Sequence, residues 1–265
     1  FAPVITTGDY PLDEDAMMSP PPAQGELVIA TPERMEVILR NRDYDPWVGS
    51  FGAVCVDEGH LIADARRGGT IDLVLASMLS RKSPARVLLL SATLGNTDRA
   101  IEWLDPCDLA ESDVRWPTLE TEVLLAEEGE SADEIVAALA EKVLGEDGAA
   151  LIAFTYQKTA TTKLASLLAE KTGHTALAYH SNMAIGRKQE VREAYLSGEC
   201  RLLVSTTALG TGINLPATHL IIRDTSFRPE GKVSPSQLLQ MLGRAGRGER
   251  RGRAMVVLRS SDEWR

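Results

Sequence analysis

The sequence predicts an α/β protein with mostly parallel sheets, arranged as two successive halves. Three observations carry that expectation. Short apolar runs alternate with segments of helical periodicity, as βαβ units require. The runs end in small, polar or acidic residues, where open parallel sheets present ligand-binding groups. A stretch from Asp105 to Pro117, interrupted by Pro106, Asp108, Glu111, Asp113 and Pro117, separates one series of runs from the next. The expected domains are therefore 1–110 and 111–265.

In the first half, the run Leu27 to Ala30 leads into Thr31-Pro32, and Glu33 to Arg40 reads as a helix. Pro32 sits where its missing N–H does no harm. Phe51 to Val56 is a strand ending in Asp57-Glu58, and Gly68 to Leu79 is an amphipathic helix closed before Pro84. Arg86 to Leu90 is a strand ending in Ser91-Ala92-Thr93, followed by a short helix from Asp98 to Leu104. The continuous run Val87-Leu88-Leu89-Leu90 suits a sheet covered on both faces.

The second half opens with a strand at Leu119 to Leu125. Ser131 and Glu134 have capping-box spacing for a helix over Ala132 to Leu144. Strands are expected at Ala149 to Phe154, Thr175 to Ala178, Arg201 to Val204, His219 to Ile222 and Arg253 to Leu258. Helices are expected at Lys158 to Glu170, Ala184 to Leu196 and around Ser236 to Leu242.

Composition narrows the function. Lys and Arg total 28 against 38 Asp and Glu, a net charge of −10, which excludes a uniformly basic surface. Nucleic acid, if bound, must meet a local groove or backbone amides. The hydrophobic fraction of 44% is that of an ordinary globular chain, and no apolar stretch approaches a membrane span. The three cysteines, Cys55, Cys107 and Cys200, are too few and scattered for a disulfide framework or a metal knuckle. Cys55 and Cys200 adjoin apolar runs and read as core or near-core thiols, and a reducing, cytoplasmic setting fits.

The chemistry concentrates at strand ends. Asp57-Glu58-Gly59-His60 delivers two adjacent carboxylates from a strand tip, which suits phosphoryl transfer with Asp57 on Mg²⁺ and Glu58 on the attacking water. A solvated acidic turn capping the next helix also fits that tetrapeptide alone. Ser91-Ala92-Thr93 occupies the same relative place and suits a helix cap or a hydrogen-bond relay. Ser205 to Pro216 combines hydroxyls with Gly210 and Gly212, which permit close backbone approach to phosphates. In Gln240-Met241-Leu242-Gly243-Arg244-Ala245-Gly246-Arg247, two guanidinium groups three residues apart can address one phosphoryl group. A basic helix end is the plain alternative. A zinc site around His60 lacks further ligands at suitable spacing, and a dinucleotide fold lacks its GxGxxG turn.

Taken together in this order, the motifs resemble superfamily 2 helicases of the DExH class, within them the Ski2-like, Hel308-type group. Thr31 to Arg34 resembles motif Ib, Asp57 to His60 motif II, Ser91 to Thr93 motif III and Phe154 to Lys158 motif IV. Tyr179 to Met183 resembles motif IVa, Ser205 to Pro216 motif V and Gln240 to Arg247 motif VI. The resemblance implies two RecA-like domains, the first N-terminally incomplete, with ATP and Mg²⁺ as cofactors. It implies 3′-to-5′ movement along single-stranded or partly duplex nucleic acid, DNA favoured over RNA.

Carried over residue by residue, the resemblance gives Asp57 to the metal and Glu58 to the water. Gly210, Gly212, Gln240, Arg244 and Arg247 would complete the nucleotide site, with Arg247 the arginine finger. Thr31, Arg34, His180, Thr206 and Thr207 would line the nucleic-acid track. His60, Ser91 and Thr93 would couple the track to the nucleotide. The segment Asp224 to Ser234 lies where the group carries a strand-separating hairpin, with Phe227 either stacking on a base or packing locally.

One departure stands out. No GxxxxGK[ST] occurs, so the usual phosphate cradle is absent from these residues. Two accounts fit: the loop lies ahead of Phe1 in a longer protein, or the chain is a degenerate helicase retained as a nucleic-acid-binding scaffold. The start without Met or signal pattern favours the first, and the chain alone is then expected to turn over little ATP.

Overall fold

In a computed structural model of the chain, the described residues are 4–6, 27–63, 68–81, 86–91, 97–112, 114, 117–206, 215–227, 231–246 and 251–259. The chain divides into two compact units, Phe1–Ala110 and Glu111–Arg265. Both are α/β, as the alternation of runs requires.

The first unit holds two parallel strand pairs. In one, β1 (Val4–Thr6) lies beside β2 (Val28–Ala30). The helix α1 (Pro32–Arg40) follows at once. Thr31 caps it by accepting from the Arg34 amide at 3.3 Å, and Pro32 opens it. After a 3₁₀ turn at Arg42–Tyr44 comes the single-turn α2 (Asp45–Val48), which sequence periodicity had not signalled. The second pair is β3 (Ala53–Val56) and β4 (Arg86–Leu89), with α3 (Gly68–Ser80) between them in sequence and α4 (Thr97–Leu104) after them. Leu39, Val48, Val74 and Met78 form the unit's core with Met35, Ile38, Trp47, Phe51 and Val54 packed against it, Trp47 meeting Phe51 edge to face.

That core meets the β3–β4 pair through Val54, on the face where Val56, Val87 and Leu89 are half-buried. On the other face, Leu88 and Leu90 are 46% and 48% exposed, and Cys55, opposite Leu88, is exposed as well. Coverage of this strand run on both faces and a near-core Cys55 were expected, and neither is found. Alternation along the strand sends every second side chain to a face that no described helix covers.

The second unit is built on one six-stranded, wholly parallel sheet. Its strands are β5 (Leu119–Ala126), β6 (Leu151–Phe154), β7 (Ala176–Tyr179), β8 (Leu202–Ser205), β9 (His219–Ile222) and, last in sequence, β12 (Gly252–Arg259). Their order is β5-β12-β9-β6-β8-β7. The helices are α5 (Ala132–Leu144), α6 (Lys158–Thr172), α7 (Ile185–Leu196) and α8 (Pro235–Leu242).

The period-2 alternation explains the layering. Leu151, Ala153, Leu202, Val204 and Ile221 pack against α5 and α6, while Ile152, Phe154, Leu203, Leu220 and Ile222 pack against α7 and α8. Central strands buried on both faces therefore read as unbroken apolar runs.

Between β9 and α8, β10 (Ser226–Phe227) and β11 (Gly231–Lys232) form a small antiparallel hairpin. Ser131 precedes α5 as expected but makes no side-chain cap bond. The capping box forms instead at α8, where Ser234 accepts from the Gln237 amide and the Gln237 side chain accepts from the Ser234 amide. Among the described residues no helix is long and apolar enough to cross a membrane.

Candidate functional site

In the first unit the site residues gather where β3 and β4 end. Val56 lies opposite Leu89, so Asp57 and Ser91 leave adjacent strand tips on the carboxyl side. Leu90 donates to the Val56 carbonyl at 2.9 Å and Gly59 to the Leu90 carbonyl at 2.7 Å, so the two loops are stitched together. Gly59 is required there: a Cβ would sit 2.6 Å from Leu89 Cγ and 3.2 Å from the Leu90 carbonyl oxygen.

Glu58 takes a left-handed backbone with φ of 54°, a conformation costing a non-glycine residue about 1–2 kcal/mol. Its amide donates to Asp57 Oδ1 at 2.8 Å, which fixes the aspartate carboxylate against the turn. The turn leaves both carboxylates exposed. His60 is nearly buried, and its Nδ1 lies 3.3 Å from Glu58 Oε2 and 3.4 Å from Ser91 Oγ. One imidazole therefore joins the carboxylate turn to the following strand tip. Thr93 lies outside the described residues. Thr31 uses its hydroxyl as the α1 cap, and Arg34 stands in that helix's first turn.

Hard oxygen donors on an exposed strand tip suit a magnesium ion that keeps most of its ligands as water or phosphate. Asp57 fits that role, with one carboxylate oxygen committed to the Glu58 amide and the other available for a ligand. Glu58, with its oxygen beside His60, fits a proton acceptor.

In the second unit the candidates fall at both edges of the sheet. His180 follows β7 and Thr206 follows β8, neighbouring strands in which Tyr179 lies opposite Ser205. The Thr206 amide donates to the Tyr179 carbonyl at 3.4 Å, and Ser205 Oγ donates to the same oxygen at 3.0 Å. Thr206 is buried. His180 Nδ1 is buried without a hydrogen-bond partner among the described residues. Nearby, Lys158 Nζ donates to Asn182 Oδ1 at 2.7 Å and ties the start of α6 to the loop after β7.

Arg244 follows α8 and is 8% exposed, so it is a buried cation rather than a surface arginine. Its carbonyl accepts from the Ala217 amide at 3.1 Å, and Gly246 donates to the Ala217 carbonyl at 2.9 Å. Ala217 stands ahead of β9, so the Arg244 turn lies at the amino edge of the sheet, opposite His180 and Thr206. The carboxyl-end rule thus holds for one set of candidates and not for the other. Gln240 is in the last turn of α8 and half-buried. Gly210, Gly212, Thr207 and Arg247 lie outside the described residues, as does the side chain of Phe227, whose backbone is in β10.

A charge cluster was not foreseen as such. Arg223, at the tip of β9, donates to Asp133 Oδ1 at 2.5 Å and to both Asp224 oxygens at 2.6 and 2.7 Å. Burial works against its charge, and the Asp224 and Asp133 carboxylates more than offset this, so the Arg223 pKa is raised. The only sequence signal was an ion pair of adjacent residues closing an apolar run.

Two family models match this chain. The one described as DEAD/DEAH box helicase covers residues 4–100, and the one described as helicase conserved C-terminal domain covers residues 134–249. The chain belongs to the superfamily 2 helicases. Within that superfamily it falls in the Ski2-like, Hel308-like group. It is 27% identical to the ATP-dependent DNA helicase Hel308 of Pyrobaculum calidifontis over 98% of this chain and 42% of the relative. It is also 27% identical to Hel308 of Pyrococcus horikoshii, over 96% and 40%. The chain thus spans about two-fifths of the length of these relatives.

Among solved structures, Mycobacterium smegmatis helicase Lhr bound to ssDNA and AMP-PNP superposes with a TM-score of 0.69 at 24% identity, over 96% of this chain and 34% of that one. Saccharomyces cerevisiae Dbp5 bound to RNA and ADP BeF3 gives 0.68 at 16% identity, over 98% and 64%. Both likenesses show a shared helicase fold.

Proposed function

We propose that this chain is the motor core of an ATP-dependent helicase that moves 3′-to-5′ on single-stranded DNA. The observation carrying this reading is the Glu58–His60–Ser91 contact at adjacent strand tips, with Glu58 held in a left-handed turn beside Asp57. Glu58 would align a water on the γ-phosphorus and take its proton as the bond to the ADP oxygen breaks. Asp57 would hold Mg²⁺, which supplies neutralising charge to the phosphate oxygens. Arg244 and Arg247, with Gln240 and the amides around Gly210 and Gly212, would bind the phosphates and offset charge developing in the transition state.

Thr31, Arg34, His180, Thr206 and Thr207 would contact sugar and phosphate rather than base edges. His60, Ser91 and Thr93 would relay occupancy of that track to the carboxylate turn. The segment 224–234 would part the strands, with Phe227 stacking on the last base. The preference for DNA rests on the relatives named as DNA helicases.

The test is Glu58→Gln in the full-length protein. Turnover stimulated by 3′-tailed DNA should fall by about 10²–10⁴-fold, the usual contribution of a positioned general base. Binding of Mg²⁺-ATP should stay within about threefold. Equal loss of binding and turnover would make Glu58 a ligand to nucleotide and remove it from water activation.

A further inference from the structure

At the carboxyl edge of the second sheet, the segment 224–234 begins in an ion-pair cluster centred on Asp224. From described residues the Asp224 carboxylate accepts four hydrogen bonds. Oδ1 takes Arg223 Nη1 at 2.6 Å and Arg259 Nη2 at 2.9 Å; Oδ2 takes Arg223 Nη1 at 2.7 Å and the Tyr156 amide at 3.1 Å. These donors come from the tips of β9, β12 and β6. Arg223 reaches further, to Asp133 in the first turn of α5. Among the described residues each guanidinium of the cluster faces a carboxylate, Arg223 both Asp133 and Asp224 and Arg259 Asp224, an arrangement suited to holding elements together.

Its position relative to the hairpin gives it a purpose. Thr225, directly after Asp224, is fully buried, and its carbonyl accepts from the Val233 amide at 3.0 Å, closing the hairpin's base. Above that base the described hairpin has only the pairs Ser226–Lys232 and Phe227–Gly231. A ribbon so short has no stability of its own in water and takes its rigidity from its root. The returning leg is fixed by Val233, buried in the core beneath α8, and by the Ser234 capping box. The outgoing leg is fixed by Asp224.

We propose that Asp224 is a positioning residue that roots the β10–β11 hairpin on the tips of β6, β9 and β12, so that the hairpin meets a duplex as a rigid wedge. The wedge role rests on the helicase reading above; the rooting does not. A wedge with a loose outgoing leg would swing aside as a strand is drawn past it, and ATP would then be consumed without base pairs opening.

The test is Asp224→Asn in the full-length protein, with Arg259→Gln as a milder companion that removes one exposed donor. In Asp224→Asn an amide NH₂ opposes the guanidinium groups, so the rooting should loosen. Hydrogen exchange of the Tyr156 and Val233 amides should quicken about tenfold or more, while core amides of α5 and α6 keep their rates. On a duplex with a 3′ single-stranded tail, base pairs opened per ATP should fall about tenfold, with stimulated turnover within about twofold. Arg259→Gln should shift both readouts the same way by less.

Unchanged exchange at Val233 would overturn the rooting, whatever the activity. Faster exchange with unwinding and turnover falling in proportion would overturn the wedge, since the cluster would then serve the ATP chemistry. If Asp224→Asn does not fold, Arg259→Gln decides by the same criteria. If the unsubstituted protein neither hydrolyses ATP nor opens a duplex, the helicase reading fails and exchange alone decides the rooting.

Discussion

Gly252→Ala provides a sharp test of how the Arg244 turn is held. Gly252 begins β12 and passes directly under the turn: an added Cβ would lie 2.7 Å from the Ala245 carbonyl carbon, 2.7 Å from Gly246 N and 3.0 Å from Ala245 Cβ. Carbon contacts settle near 3.5 Å, so strand and turn must part by about 0.8 Å. Both neighbours are backbone, and neither can rotate away. The movement strains the Gly246–Ala217 and Ala217–Arg244 hydrogen bonds, now 2.9 and 3.1 Å.

Overpacking of this kind costs about 2 kcal/mol and one lost hydrogen bond about 1, against about 0.5 recovered from a stiffer unfolded chain. The expected destabilisation is about 2–3 kcal/mol. Urea unfolding should show the second unit's midpoint falling by about 1–1.5 M, given a slope of about 2 kcal/mol per M. Gly186→Ala is the control: Gly186 lies in α7, and a Cβ there meets nothing within 4 Å. That substitution should stabilise by up to about 1 kcal/mol. A Gly252→Ala midpoint equal to the unsubstituted one, or a Gly186→Ala loss of the same size, would refute the reasoning. In the full-length protein, Gly252→Ala should also lower ATP turnover, because the Arg244 turn moves with Ala245.

Three further outcomes are expected. His60→Ala should reduce the ratio of DNA-stimulated to unstimulated turnover by about tenfold in the full-length protein, and an unchanged ratio would detach the Glu58–Ser91 link from coupling. Tyr195→Phe should raise the second unit's stability by about 1 kcal/mol in denaturant unfolding, because the Tyr195 hydroxyl is buried with no partner among the described residues; a loss of that size would mean the hydroxyl is bonded. Burial lowers the His219 pKa below its ordinary 6.5, with Arg253 acting the same way and Glu146 opposing. The neutral ring is therefore favoured by folding, so His219's contribution is complete above about pH 6.5 and lost as pH falls through the depressed folded value. Urea midpoints between pH 7.5 and 5 should fall less steeply in His219→Gln.

Much of this was legible because local signals and tertiary outcome agreed. The runs Leu151–Phe154 and His219–Ile222 are buried on every residue and could scarcely be anything but central strands. Asp57-Glu58 at the end of an apolar run announced a strand tip bearing carboxylates. The contact between His60 and Ser91 was not legible from spacing, because it depends on β3 and β4 being adjacent and in register across more than thirty residues. Arg244 read as a phosphate-directed guanidinium or part of a basic helix end, and its burial was not legible, since sequence cannot show that Gly252 and Ala217 pack against its turn. Leu88 and Leu90 read as doubly covered, since an apolar run reports the preference of its side chains and not which neighbours meet them. Asp133 and Arg223, ninety residues apart, meet only because β9 ends above the first turn of α5.

The left-handed turn at Glu58 has a consequence for anyone seeking a sturdier version of this protein. Glycine there would relieve about 1 kcal/mol of backbone strain and remove an acidic side chain beside Asp57. A library sorted by heat resistance alone should therefore enrich Glu58→Gly and, on the reading above, discard the group that takes the proton from water. Resilience and work are opposed at this one residue, so selection for the first has to be accompanied by an assay for the second.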